Sequence, residues 1–131
     1  MASVCLYFHV HQPRRVKLLR SFDIGQGHRY FDDNSETDLN NAKIFRKVAE
    51  KCYLPANRTF LELLEKYTNF KISYSITGVL LEQLEEYYPE VITSFQRQVD
   101  TGRVELIAET YYHSLAFLHS PEEFRHQIEM Q

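Results

Sequence analysis

Cysteine is scarce: the 131 residues hold two, Cys5 and Cys52, and neither sits in a CxxC pair. That excludes a disulfide framework and leaves two buried, reduced thiols as the expectation. Long apolar runs are missing too, since none approaches the roughly 18 residues that span a bilayer. The nearest candidate, residues 4–10, is interrupted by His9 and lacks a basic flank or a small-residue cleavage site, so it is a poor signal peptide. A cytoplasmic location, with no membrane partner, is the default. There is no excess of positive charge: 15 Lys and Arg against 18 Asp and Glu give a formal net charge of −3, which argues against a non-specific nucleic-acid binder. Gly-rich phosphate loops, a nucleophile elbow, internal repeats and low-complexity segments are also absent. What is present is the material of a globular core. Hydrophobic residues make up 44% of the chain, and nine Phe with nine Tyr exclude disorder. The length suits one domain.

Residues 4–11 form a nearly continuous apolar run with β-branched and aromatic members, which predicts a strand covered on both faces. Pro13 ends it. Residues 14–40 are polar and aperiodic, with Gly25, Gly27 and the pair Asp32 and Asp33, and a loop of that size is usually functional or a misread element. Ile44, Phe45, Val48, Ala49 and Cys52 predict a helix over residues 42–53, broken at Pro55. A second helix follows over 57–67, with Phe60, Leu61, Leu64 and Tyr67 inward. Residues 70–76 alternate at period two and predict a strand. Helices then open at Gly78 and at Pro89, the latter ending at Gly102 in a left-handed position. Residues 103–109 predict a third strand, and Ser120-Pro-Glu-Glu123 carries a capping box. This alternation of strands and helices predicts an α/β fold with a parallel sheet. Three strands are fewer than a closed barrel needs. With no cap ending the last helix, the chain reads as the first part of a larger α/β domain. In isolation it is expected to expose the edge of its third strand and apolar faces meant for absent neighbours, and so to aggregate or partly unfold.

His9 and His11 stand two apart on the first strand and share a face, with His11 at the carboxyl end where parallel α/β folds place their sites. Such a pair can ligate a divalent metal, hydrogen-bond sugar hydroxyls, or be satisfied within a core. Gln12 and Pro13 present polar groups at the strand mouth. Glu105 and Glu109 share a face of the third strand about 13 Å apart, too far to act as one carboxylate pair. Glu105 is either an internal ion-pair partner or faces a ligand. Glu109, Tyr112 and His113 lie at the carboxyl end and can converge with His11, and aromatic rings beside carboxylates suit sugar recognition. Asp23, His28, Asp32 and Asp33 lie in the long loop; their spacing fits no EF-hand, and a solvated acidic loop is the simplest account. His119, His126 and the glutamates Glu82, Glu85 and Glu86 read as surface residues.

These residues carry a resemblance. Tyr7-Phe-His-Val-His-Gln-Pro13 is similar to the opening signature of glycoside hydrolase family 57, a His-Gln-Pro at the end of strand one. Phe22-Asp-Ile-Gly25, Tyr30-Phe-Asp-Asp33, Lys51-Cys-Tyr-Leu-Pro-Ala-Asn57 and Glu109-Thr-Tyr-Tyr-His-Ser114 resemble its α-amylase-like branch, and Gly102-Arg-Val-Glu105 resembles its second signature region. The resemblance covers nearly the whole chain. It implies that residues 1–131 are the N-terminal portion, about three strands, of a (β/α)7 incomplete TIM-type barrel. The activity implied is retaining hydrolysis or transglycosylation of α-1,4-glucosidic bonds in an α-glucan, with no cofactor and no metal. It implies a nucleophilic Glu on strand four and an acid/base Asp on strand seven, both beyond Gln131, so this segment alone is expected to be inactive. His11 and Glu105 match substrate-contacting positions, while strand geometry favours Glu109. The substrate-binding candidates are therefore His11, Gln12, Glu105, Glu109 and His113. Two other readings stay open: a metal-dependent hydrolase of similar shape using His9 and His11, and a non-catalytic glucan-binding protein.

Overall fold

In the computed structural model, which describes residues 3–16, 20–25, 30–31 and 40–131 (Asp23 in backbone only), the sheet is built around its second strand. β2 (Ile72–Ile76) pairs in parallel with β1 (Tyr7–Val10) on one side and with β3 (Val104–Leu106) on the other. Tyr7 lies opposite Ser73 and Val10 opposite Ile76, while Ile72 lies opposite Val104. Parallel neighbours need crossovers. α1 (Asn41–Val48), a wide π turn (Ala49–Tyr53) and α2 (Leu54–Lys66) lead into β2; α3 (Gly78–Tyr87) and α4 (Pro89–Val99) lead into β3. A 3-10 turn (Ala116–Leu118) and α5 (Pro121–Met130) follow. The expected α/β architecture with three parallel strands is present. No helix among the described residues is long and apolar enough to cross a membrane.

Strand alternation sorts the two faces. Phe8, Val10, Ile72 and Tyr74 turn towards the helices and join Phe45, Ala49, Leu64, Leu80, Leu84 and Val91 in one core. The other face carries Tyr7, His9, Ser73 and Glu105. Tyr7 is 52% exposed, so β1 is covered on one face rather than on both. The apolar run hid an alternation, because its odd positions Cys5, Tyr7, His9 and His11 all bear polar or polarizable atoms. In the core, the Tyr74 hydroxyl donates to Gln98 Oε1 at 2.9 Å, and Gln98 is fully buried. Burial pushes the Tyr74 phenol up to about 12. Tyr74→Phe leaves that amide oxygen without its donor and should lower stability in urea melts at pH 8 by about 1 kcal/mol. A folded-state pKa raised above the usual 10.0 means the stabilisation is complete below about pH 10 and is lost as pH rises towards 12, so the difference between the two proteins should narrow there. An unchanged melt at pH 8 would show that the bond contributes nothing.

Several sequence expectations are corrected. Pro55 does not break the helix: α1 and α2 run on through the π turn, in which Leu54 N–H reaches Ala49 O, and Pro55 sits in the first turn of α2, where no N–H is required. The π turn holds an extra residue and shifts the inward phase by about one position. Tyr53 is therefore buried where Cys52 was expected, and Cys52 is exposed. Cys5 is exposed too, on the open side of β1 ahead of the strand. Tyr67 caps the end of α2 in extended geometry and is 50% exposed rather than inward. β1 is shorter than residues 4–11, and β3 stops at Leu106 rather than at residue 109. Among the described residues β3 is paired on one side only, and Leu106 at its end and Ile107 just beyond it are exposed. Gly102 does adopt the left-handed conformation (φ +68°). The capping box is half formed: Ser120 Oγ accepts from Glu123 N–H at 3.2 Å, but the Glu123 carboxylate accepts from Gln127 instead of reaching back.

Candidate functional site

At the carboxyl end of the sheet, the Thr77 N–H donates to Val10 O at 3.2 Å and locks the ends of β1 and β2 together. This sets His11 beside Thr77, with Nδ1 and Oγ1 2.9 Å apart. A hydroxyl can donate or accept, so whichever proton Nδ1 carries, Nε2 takes the opposite role. One row deeper, His9 lies opposite Ser75, with Nδ1 and Oγ 2.8 Å apart, and the Tyr7 hydroxyl is 2.6 Å from the same Oγ. A further row in, Ser73 Oγ donates to Glu105 Oε2 at 3.3 Å. The open face is thus a ladder of imidazoles and hydroxyls with a carboxylate at its inner end.

Glu109 arrives from the chain beyond β3. Its carboxylate is largely buried, with Oε2 3.3 Å from His113 Nδ1 and Oε1 3.4 Å from His9 Nδ1. Three imidazoles gather around it: ring centroids are 4.2 Å apart for His9 and His113, 5.0 Å for His11 and His113, and 5.9 Å for His9 and His11. The loop that presents Glu109 and His113 is pinned from several sides. Tyr111 N–H donates to Gln127 O, Val79 N–H to Tyr111 O, and the Tyr111 hydroxyl to Glu82 Oε1 at 2.7 Å. Thr110 O accepts from His113 N–H, which tightens the turn and leaves His113 at φ +53°, a conformation side chains rarely adopt. Such strain persists only where the surroundings enforce it.

The His11 pKa is lowered, first by burial and then by repulsion from His113 and His9, against a smaller opposing pull from Glu109. The shift favours the neutral, hydrogen-bonding form of His11 over the cation. It borders a cleft of about 410 Å³ shared with Pro13, Arg14, Phe31, Val79, Glu82 and Tyr112. Arg14 on its rim donates to Glu86 Oε2 at 2.9 Å, so part of the glutamate row read as a solvated face is used to hold this wall.

The structure brings His11, Glu109 and His113 together, with His9 among them. Glu105 stands apart, deeper on the sheet and exposed, and Glu109 no longer shares its strand. Gln12 is buried and turned away: with its amide oxygen facing the guanidinium it accepts from Arg15 at 2.7 and 2.9 Å, and its backbone carbonyl accepts from Gln83 at 2.6 Å. His119 and His126 are exposed. His28, Asp32 and Asp33 lie outside the described residues, as does the Asp23 side chain. Sequence reasoning missed Ser75 and Thr77. The available signal was the period of two, which puts Ser73, Ser75 and Thr77 on one face.

A model of the family described as glycosyl hydrolase family 57 matches residues 5–131. A Methanocaldococcus jannaschii protein named "Putative alpha-amylase" is 47% identical over 125 residues, 94% of this chain and 26% of that protein. A Pyrococcus abyssi alpha-amylase is 41% identical over 68 residues, 52% of this chain and 10% of that protein. The chain thus spans about a quarter or less of the length of these relatives. The crystal structure of 4-alpha-glucanotransferase from Thermococcus litoralis superposes on 96% of this chain and 16% of its own, with a TM-score of 0.62 at 23% identity, a likeness of fold. With the match running from the start of β1 to the end of α5, the chain belongs to glycosyl hydrolase family 57.

Proposed function

We propose that residues 1–131 are the N-terminal part of one catalytic barrel that hydrolyses or transfers α-1,4-glucosidic bonds of an α-glucan with retention. In this reading the segment supplies a wall of the −1 subsite. Family membership supports the substrate class, since relatives are named alpha-amylase and 4-alpha-glucanotransferase. The observation that carries the reading is the neutral His11, fixed to Thr77 at the carboxyl end of the sheet beside Glu109 and His113. A sugar ring offers hydroxyls that both donate and accept, and this corner offers both roles within a few ångströms. Tyr112, 47% exposed on the same cleft, adds an apolar surface for a sugar face.

Retention needs two carboxyl groups about 5 to 5.5 Å apart, one as nucleophile and one as acid/base. Glu109 is held at one oxygen by His113, and Glu105 sits deeper at Ser73, so both serve the wall and neither attacks. The reacting carboxyls come from later strands. The full-length protein should release or transfer maltooligosaccharides from a linear α-1,4-glucan, and residues 1–131 alone should give no product. Turnover by the short segment, or none by the full-length protein on any α-glucan, would overturn the reading.

A further inference from the structure

Glu109 Oε1 is buried and has no hydrogen-bond partner among the described residues. His9 Nδ1 is its nearest cationic candidate at 3.4 Å, yet that nitrogen already faces Ser75 Oγ at the shorter distance of 2.8 Å. A carboxylate oxygen withdrawn from water without a donor is costly, and such an atom calls for a counter-ion. The atoms around it have the chemistry and spacing of a ligand set. One ligand atom each from His9, Glu109 and His113 lies within 4.8 Å of the others. Ligands about 2.1 Å from a tetrahedral ion lie roughly 3.4 Å from one another. His9 Nδ1 lies 3.4 Å from Glu109 Oε1 and His113 Nδ1 3.3 Å from Glu109 Oε2, so each imidazole already stands at ligand spacing from one of the two carboxylate oxygens. Closing the set onto one oxygen requires the His113 ring, 4.2 Å from that of His9 and with 55% of its side chain exposed, to turn.

We propose that His9, Glu109 and His113 form a binding site for a divalent transition-metal ion of the zinc class. Two imidazoles and one carboxylate suit zinc, cobalt or nickel, whereas calcium and magnesium would require more oxygen ligands. The ion ties β1 to the loop beyond β3 and satisfies Glu109 Oε1. Binding at His9 exchanges the bond to Ser75 for coordination, and the Ser75 hydroxyl keeps its partner in Tyr7. Its fourth position opens beside His11, whose ring is 5.0 Å from that of His113. The His113 left-handed turn is what folds the imidazole back over Glu109, which gives that strained residue a purpose.

The site shares Glu109 and His113 with the wall proposed above but is argued from their geometry alone, and its test uses no carbohydrate. Full-length protein stripped with chelator would be titrated with ZnCl2 by calorimetry and with CoCl2 by visible absorption. One equivalent should bind, with cobalt giving the intense bands of a four-coordinate ion. Glu109→Gln and His113→Ala should each weaken binding at least about tenfold, while His119→Ala and His126→Ala leave it unchanged. His113 is exposed, so circular dichroism should show its variant folded. No binding at 100-fold excess of metal over protein, binding unaffected in both ligand variants, or a six-coordinate cobalt spectrum would each overturn the site.

Discussion

His11→Ala in the full-length protein should lower kcat/KM on a linear α-glucan by about ten- to a thousandfold, a loss of roughly 1.4 to 4 kcal/mol of transition-state stabilisation. The reasoning rests on placement. His11 is held by Thr77 Oγ1 at Nδ1, borders the cleft, and has its neutral form favoured by burial and by two neighbouring imidazoles. A neutral, pre-oriented donor or acceptor loses little freedom on meeting a sugar hydroxyl, and only contacts that tighten in the transition state raise the rate. The loss should therefore fall mainly on kcat. His11→Gln keeps both hydrogen-bonding roles and should recover part of it. Thr77→Val removes the orienting hydroxyl without touching substrate and should cost less than His11→Ala. An unchanged kcat/KM in His11→Ala would remove His11 from the site.

Much of this corner was legible in the sequence because it depends on two local rules. Alternation along a strand puts His9 and His11 on one face, and chain direction in a parallel sheet puts His11 and the residues after β3 at the same end. What could not be read was set by partners far away in sequence. Ser75 and Thr77 are unremarkable hydroxyls until β1, 66 residues earlier, lies beside them. β3 is short because it pairs along only three residues of β2, a limit that its own alternation does not contain. Glu109 consequently leaves the strand and swings over to His9, which no strand-spacing estimate for Glu105 and Glu109 could anticipate. The π turn is the third case. Its extra residue moved the buried phase from Cys52 to Tyr53, so a constant helical period misplaced both a thiol and a proline.

Gly78→Ala should destabilise the protein by about 1–3 kcal/mol, because a Cβ there would overlap the Tyr111 ring at Cδ2, Cε2 and Cζ. The opposing effect is real: Gly78 opens α3, and alanine in a helix is favoured over glycine by up to about 1 kcal/mol. Sterics should win because Tyr111 is not a loose side chain. Its hydroxyl is bound to Glu82, its carbonyl to Val79 N–H and its own N–H to Gln127 O, so the ring cannot swing away without releasing the turn that presents Glu109 and His113. The same substitution should therefore lower kcat/KM although residue 78 touches no substrate. A double-mutant cycle separates the two terms. In a Tyr111→Ala background the overlap is gone, and Gly78→Ala should become neutral or stabilising by a few tenths of a kcal/mol, leaving a coupling energy above about 1 kcal/mol. If Gly78→Ala costs the same with and without the Tyr111 ring, the close approach is not what requires glycine at the mouth of β2.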